Sequence, residues 1–247
     1  MITTATAQGT REHQEDRIFY KKINPETTVM AIMDGHNGHA VADTCVSVLT
    51  RECKDLHCER SGKSILETLT TSLNNATQQM QAGSTLALVL IHRNYIHIAV
   101  LGDSPVLLVH KDRTVWQSPE HNVRTNFKER TAAEQRGGVY SNGYICHPKT
   151  MNGLQLSRAL GDAGMGAIVD RTFDICMHPI LDGDVVVLMT DGMIDPNHTS
   201  RTDSIIVHIA SMVRSGRGAQ ALLNQVKRSG RLHDNASVLV WRADVQK

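Results

Sequence analysis

Short apolar runs in this chain repeatedly meet an aspartate at a turn: VMAIM runs into Asp34, IHIAVLG into Asp103, VVVLMT into Asp191, and Asp234 stands just ahead of ASVLVW. Short apolar runs bounded by turn residues read as strands, and strand ends on one side of a sheet can gather these carboxylates. Carboxylates crowded together repel one another unless a cation neutralises them, and an all-oxygen donor set suits Mg²⁺ or Mn²⁺ better than zinc. Taken singly, Asp-Gly is an ordinary turn pair, as Asp182-Gly183 is read here. The set is what points to a binuclear hard-metal centre.

The stretch IMDGHNGHAV, residues 32–41, poses the choice locally. His36-x-x-His39 has a zinc-like spacing, whereas Asp34 beside Gly35 suits an oxygen-held ion; the acidic set favours the second, and His39 is assigned to the start of a helix. Asn37 falls at a turn position where its side chain tolerates a left-handed backbone. The five cysteines include no C-x-x-C pair and are expected to be reduced thiols. Cys53 and Cys58 flank His57 in a segment that reads as helical, without four spaced ligands for a soft metal.

A length of 247 residues can bury a substantial core, and with no repeat or linker the chain reads as one domain, 1–247. With 40% hydrophobic but only 4% aromatic residues, that core is aliphatic. A net charge of +1 and the lack of any Lys/Arg block oppose a nucleic-acid platform. The longest apolar runs, LALVLI and VVVLM, are too short to cross a bilayer, and MITTATAQGTREHQED has no secretory apolar region. The expectation is a soluble intracellular protein, cytoplasmic with the nucleus left open, that engages neither membrane nor nucleic acid.

Periodicity places strands at 17–22 and 27–33, helices at 39–59 and 64–80, and an antiparallel meander of strands at 84–91, 96–101 and 106–110. Residues 117–153 read as a surface flap with a short helix over 128–136 that stops at Gly137-Gly138. A strand at 184–189, helices at 203–214 and 218–229, and a strand at 236–241 complete the chain. Strands and helices come in blocks rather than in βαβ alternation, the mark of an α+β fold.

The segments GTREHQEDR, DGHNGH, AGSTLALVLI, VLGDSP, AEQRGGVY, NGLQLSRALGD, LMTDGMID and HDNASVLVW, in this order over residues 9–241, resemble the motif series of the metal-dependent protein Ser/Thr phosphatases of type 2C (PPM). The resemblance implies a four-layer α-β-β-α sandwich, two antiparallel sheets face to face with helices outside, and a metal centre at one end. It implies two Mn²⁺ or Mg²⁺ ions bridged by Asp34, one completed by Asp191 and Asp234, the other by Glu15 and the Gly35 carbonyl. Asp103 with Asp191 would support a weaker third ion. Hydroxide held between the two ions would attack phosphorus directly, with no covalent phosphoenzyme. Arg11 would clamp the phosphate oxygens and His36 would protonate the leaving oxygen. The substrates implied are phosphoserine and phosphothreonine proteins, acted on by a monomer.

Asp16 and Asp195 match acidic positions of the family and are assigned to water or structural contacts, while Asp162 of SRALGD is left outside the site. Pro105 stands where relatives commonly carry Arg after Gly-Asp-Ser, removing a cation and a backbone donor beside Asp103. Thr190 for Ser and Ala236 for a β-branched residue are milder departures. No appended targeting domain is expected, so substrate choice falls to the flap and to Arg124, Lys128, Arg130, Arg136 and Lys149, each of which also reads as an ordinary solvated charge. A catalytically inactive pseudophosphatase is the competing reading, although no ligand loss supports it. A metal-dependent nuclease is opposed by the neutral charge balance and the motif order.

Overall fold

The computed structural model describes residues 1–195, 203–228 and 232–243. Two five-stranded antiparallel sheets form its frame. One runs in the order β1 (Ile2–Ala7), β16 (Ala236–Arg242), β15 (Val185–Met189), β8 (Val106–Val109), β9 (Val115–Gln117). The other runs β14 (Asp174–Pro179), β7 (Tyr95–Leu101), β6 (Leu86–His92), β3 (Thr27–Met33), β2 (Arg17–Asn24).

Side chains alternate across a strand, and here both faces of the central strands are covered. Met30 and Ile32 of β3, Val89 of β6, Val186 and Leu188 of β15, and Leu239 of β16 meet between the sheets. Their neighbours Val29, Ala31, Met33, Leu88 and Leu90 pack outward on α1 (Ala40–Glu52) and α2 (Gly62–Thr77). On the far side, Val187, Met189, Val238 and Val240 pack on α4 (Asp203–Arg214) and α5 (Ala219–Arg228). Burial on both faces explains why these strands are continuous apolar runs rather than alternating ones. The result is the expected α-β-β-α sandwich.

Several local expectations differ from what is found. The helix read over 39–59 ends at Glu52, because apolar residues at helical spacing run out after Cys53; α2 then starts on Ser61, whose hydroxyl accepts from Ser64 N, a cap worth about 1 kcal/mol. The meander breaks at β8, which leaves β7 for the opposite sheet: Met189 N donates to the Pro105 carbonyl and opens the β15 pairing. The threonine-rich start of the chain is strand β1, read from its sequence only as polar; it pairs along β16, and the Thr3 hydroxyl accepts from Ala219 N at the head of α5.

The strand read over 84–91 divides at Thr85. Its first part, β5 (Gly83–Ser84), lies between β4 (Gly35–His36) and β13 (Leu160–Gly161) in a small separate sheet. Residues beyond β9 build α3 (Phe127–Gln135), capped by Asn126, and a three-stranded sheet of β10 (Val139–Ser141), β11 (Tyr144–Cys146) and β12 (Gly153–Leu154) around Val123, Ala133, Ile145, Leu156 and Ile168. Two arginines there are braces rather than solvated charges: Arg130 lies 3.8 Å from the Tyr140 ring centroid and donates to Val123 O, and Arg136 donates to Ile168 O and Ser157 O. All five cysteines are free thiols. Among the described residues, no helix is long and apolar enough to cross a membrane.

Candidate active site

The aspartates at the strand ends meet at one end of the sandwich, where the two sheets contribute opposite walls of a cleft of about 760 Å³. Asp34 follows β3 and Asp103 follows β7, in one sheet; Asp191 follows β15 and Asp234 precedes β16, in the other. Arg11, Glu15, Asp34, Gly35, His36, Asp103, Asp191 and Asp234 all line this cleft.

Backbone bonds position Asp34 and Asp191, and side chains hold Asp103 and Asp234. Asp34 is clamped on Thr85, donating its N–H to Thr85 Oγ1 at 3.0 Å and accepting from Thr85 N at 2.9 Å. The backbone at Gly35 presses so close to the Glu15 carbonyl that a Cβ would stand 2.8 Å from it, a distance that only glycine relieves. Asn37 turns the chain at φ 57°. Asp191 opens a single 3-10 turn whose Ile194 and Asp195 N–H groups return to its carbonyl. Asp103 accepts from Asn122 Nδ2 at 2.8 Å, and Arg11 Nη2 donates to Asp234 Oδ2 at 2.7 Å.

The electrostatics are those of a site built to be neutralised. Burial, reinforced by Asp16, Asp191, Asp103 and Asp234, holds Asp34 well above the usual carboxylate range. Asp191 is raised in the same way by burial and by Asp103 and Asp234. Burial also raises Asp103, against the Asn122 hydrogen bond that opposes it. Asp16 is pushed up to about 6 by burial, although the hydroxyls of Ser237 and Thr190 favour its charged form. Its Oδ1 is buried without a hydrogen-bond partner. Burial works against the Arg11 charge, but the hydrogen bond and charge of Asp234, with Asp191 and Asp34 behind, raise its pKa overall.

Buried oxygen donors that repel one another, without a sulfur or imidazole among the clustered acids, suit a hard divalent ion. Among the described residues, no three His, Cys, Asp or Glu side chains already close round a single ion position; Asp234 is turned to Arg11 and Asp103 to Asn122.

Several residues outside the expected set also matter. Asn235 knits the N-terminal loop to the site: its Oδ1 accepts from Glu15 N and its Nδ2 donates to Gln8 O and His13 O. The adjacent Asp-Asn pair in HDNASVLVW was the available signal. Arg124 also lines the cleft and pairs with Asp195 at 2.8 Å, giving Asp195 a structural contact. Asp162 does not stay apart, since its Oδ2 lies 2.7 Å from His36 Nε2. His39, by contrast, turns to Asp43 on its own helix.

The family model for protein phosphatase 2C matches residues 2–228. A mitochondrial protein phosphatase 1K of Xenopus laevis is 24% identical over 97% of this chain and 67% of its own length. The chain spans about 60% to two thirds of the length of the first curated relatives it matches. Among solved structures, a serine-threonine phosphatase 2C from Toxoplasma gondii superposes with a TM-score of 0.75 at 18% identity, covering 98% of this chain and 94% of that one. The catalytic domain of the phosphatase PstP, solved with two manganese ions, gives 0.67 at 18% identity over 99% and 98% of the two chains. With the family pattern running almost end to end on a shared architecture, the chain belongs to the protein phosphatase 2C family.

Proposed function

We propose that this chain is a metal-dependent protein phosphatase that removes phosphate from phosphoserine and phosphothreonine in proteins, acting as a single catalytic domain with residues 117–153 as its flap. The observation that carries the reading is the meeting of Asp34, Asp103 and Asp191 in one cleft, where burial raises all three and neighbouring carboxylates raise Asp34 and Asp191 further. Family membership and the two manganese ions of the PstP structure support it.

Asp34 would bridge two Mn²⁺ or Mg²⁺ ions, Asp191 and Asp234 would complete one, and Glu15 with the Gly35 carbonyl would complete the other. Asp103 and Asp191 would share a weaker third, next to a Pro105 that offers no N–H. Ions held there supply an activated water and draw charge from the phosphate oxygens.

The chain's own groups do the rest. Arg11 presents its guanidinium at the cleft mouth, where its planar fork matches two phosphate oxygens. His36 delivers a proton to the departing serine or threonine oxygen, which would otherwise leave as a strongly basic alkoxide. The cleft walls formed by Tyr144 and residues 153–156 and by Arg11, Glu12, His13 and Glu15 take the peptide. We place the enzyme inside the cell as a monomer. Phosphate release from a phosphothreonine peptide that stops with EDTA and returns with Mn²⁺ tests the reading; a folded protein inert on all phosphopeptides would instead be a pseudophosphatase.

A further inference from the structure

We propose that Asp162 is a positioning residue for His36, fixing the ring so that Nε2 faces the protein and Nδ1 is the nitrogen presented to the leaving group. This rests on the reading of His36 as the proton donor. The small sheet built by β4, β5 and β13 sets up the pairing. His36 on β4 and Gly161 on β13 both lie opposite Gly83 of the middle strand β5. The side chains of His36 and of Asp162, the next residue, therefore reach toward each other across β5 and meet with Nε2 and Oδ2 2.7 Å apart.

Only a glycine lets them pass. A Cβ at Gly83 would stand 2.1 Å from His36 Nε2 and 2.2 Å from Asp162 Oδ2. The backbone is committed to the arrangement as well. Asp162 sits at φ 50° and ψ 43°, the left-handed region that non-glycine residues seldom adopt. It is held there by its N–H to Ala82 O and by Arg171, which donates to the carbonyl of Gly161. The carboxyl is buried, 3% exposed, while the imidazole is 23% exposed and lines the cleft. A buried carboxyl behind a partly exposed imidazole, bonded to the nitrogen away from substrate, sets ring orientation and tautomer, as the buried carboxylate of a hydrolase triad does.

In the step this serves, the phosphorus–oxygen bond to serine or threonine breaks. The proton on His36 Nδ1 passes to that oxygen, and water supplies the oxygen that phosphorus gains, one of its hydrogens staying on the released phosphate and the other restoring the proton on His36.

The test uses Asp162→Asn, because Asn tolerates the left-handed backbone and folding can be verified by circular dichroism. A positioned general acid contributes about 10²- to 10⁴-fold, so turnover of a phosphothreonine peptide should fall about tenfold or more. Turnover of p-nitrophenyl phosphate, whose leaving group departs without a proton, should change by less than about threefold. In a His36→Ala background the same change should add nothing. Independently, ring ¹⁵N spectra of the metal-free protein should show neutral His36 as one tautomer with the proton on Nε2, and a changed tautomer balance in Asp162→Asn. Equal loss on both substrates, or identical ring spectra in the two proteins, overturns the proposal. If the wild type turns over neither substrate, the phosphatase reading falls, while the ring spectra still decide the pairing.

Discussion

Arg11 Nη2 lies 2.7 Å from Asp234 Oδ2 and ties the loop before β2 to the loop before β16 across 223 residues of sequence. The same cation thus faces a proposed metal ligand on one side and the mouth of the cleft on the other.

Replacing Arg11 by Lys keeps the charge and loses the fork. Hydrogen bonds to charged groups are worth about 1.5–3 kcal/mol, so kcat/KM on a phosphothreonine peptide should fall roughly ten- to hundredfold. The melting temperature should barely move, because the Arg11 side chain is 53% exposed and exposed pairs contribute about 0–1 kcal/mol. Steady-state kinetics beside a thermal melt checks both.

The raised carboxylates burden the metal-free fold. Between their ordinary and folded pKa values the folded state binds more protons than the unfolded chain, so stability falls as pH rises through that window; for Asp16 it runs from 3.8 to about 6. Asp34→Asn should therefore raise the melting temperature of the chelated protein at neutral pH. A ligand at one hundred times its Kd adds about 2.7 kcal/mol, roughly 5–10 °C for a chain of this size. Mn²⁺ should produce such a rise in the wild type and much less in Asp34→Asn. Calorimetry with EDTA and with Mn²⁺ measures both effects.

Histidines contribute to the loss of stability on the acid side. Burial holds His92, His97 and His178 below the ordinary value of 6.5, so the unfolded chain takes up protons first, and stability is lost as pH falls below 6.5. His178 is packed 4.6 Å from Trp116, and its Nε2 has no hydrogen-bond partner. His178→Phe should flatten the decline in urea midpoint below that pH; an unchanged slope would remove His178 from the explanation.

Glu129 anchors the base of the flap, accepting from Arg158 at 2.6 Å and from Ser157 at 2.5 Å, while Arg158 and His121 both reach Asp174 on β14. Breaking a buried pair from one side costs about 3–5 kcal/mol. With the two side chains 11% and 18% exposed, Glu129→Gln should cost about 2 kcal/mol or more. Urea unfolding measures the loss.

The strands buried on both faces were legible because each carries an unbroken apolar run, and the carboxylates at their ends followed from that. Strand β1 was not, since of ITTATA only Ala5 is a buried core residue and the threonines mostly serve edges and caps. Strand β14 was missed too: its alternate residues Ile175 and Met177 are exposed, so no inward apolar stripe marks it. Which sheet β8 joins is decided by a hydrogen bond to Met189, eighty-odd residues on, and no local pattern carries that. Within the cleft, all eight expected residues come together. Asn235 is marked only by its place beside Asp234, while Thr85 and Asn122 act through hydrogen bonds to distant segments, which leave no spacing to read. Asp162 was visible in SRALGD, but its tie to His36 depends on Gly83 in a third segment.

Phosphate release from a phosphothreonine peptide, by wild type and by Asp191→Ala, each stripped with EDTA and then given Mn²⁺, is the most direct test. Metal-dependent catalysis in this cleft predicts no turnover in stripped wild type, full recovery with Mn²⁺, and none in a folded Asp191→Ala. Turnover that survives EDTA, or wild-type rates in Asp191→Ala, would contradict it.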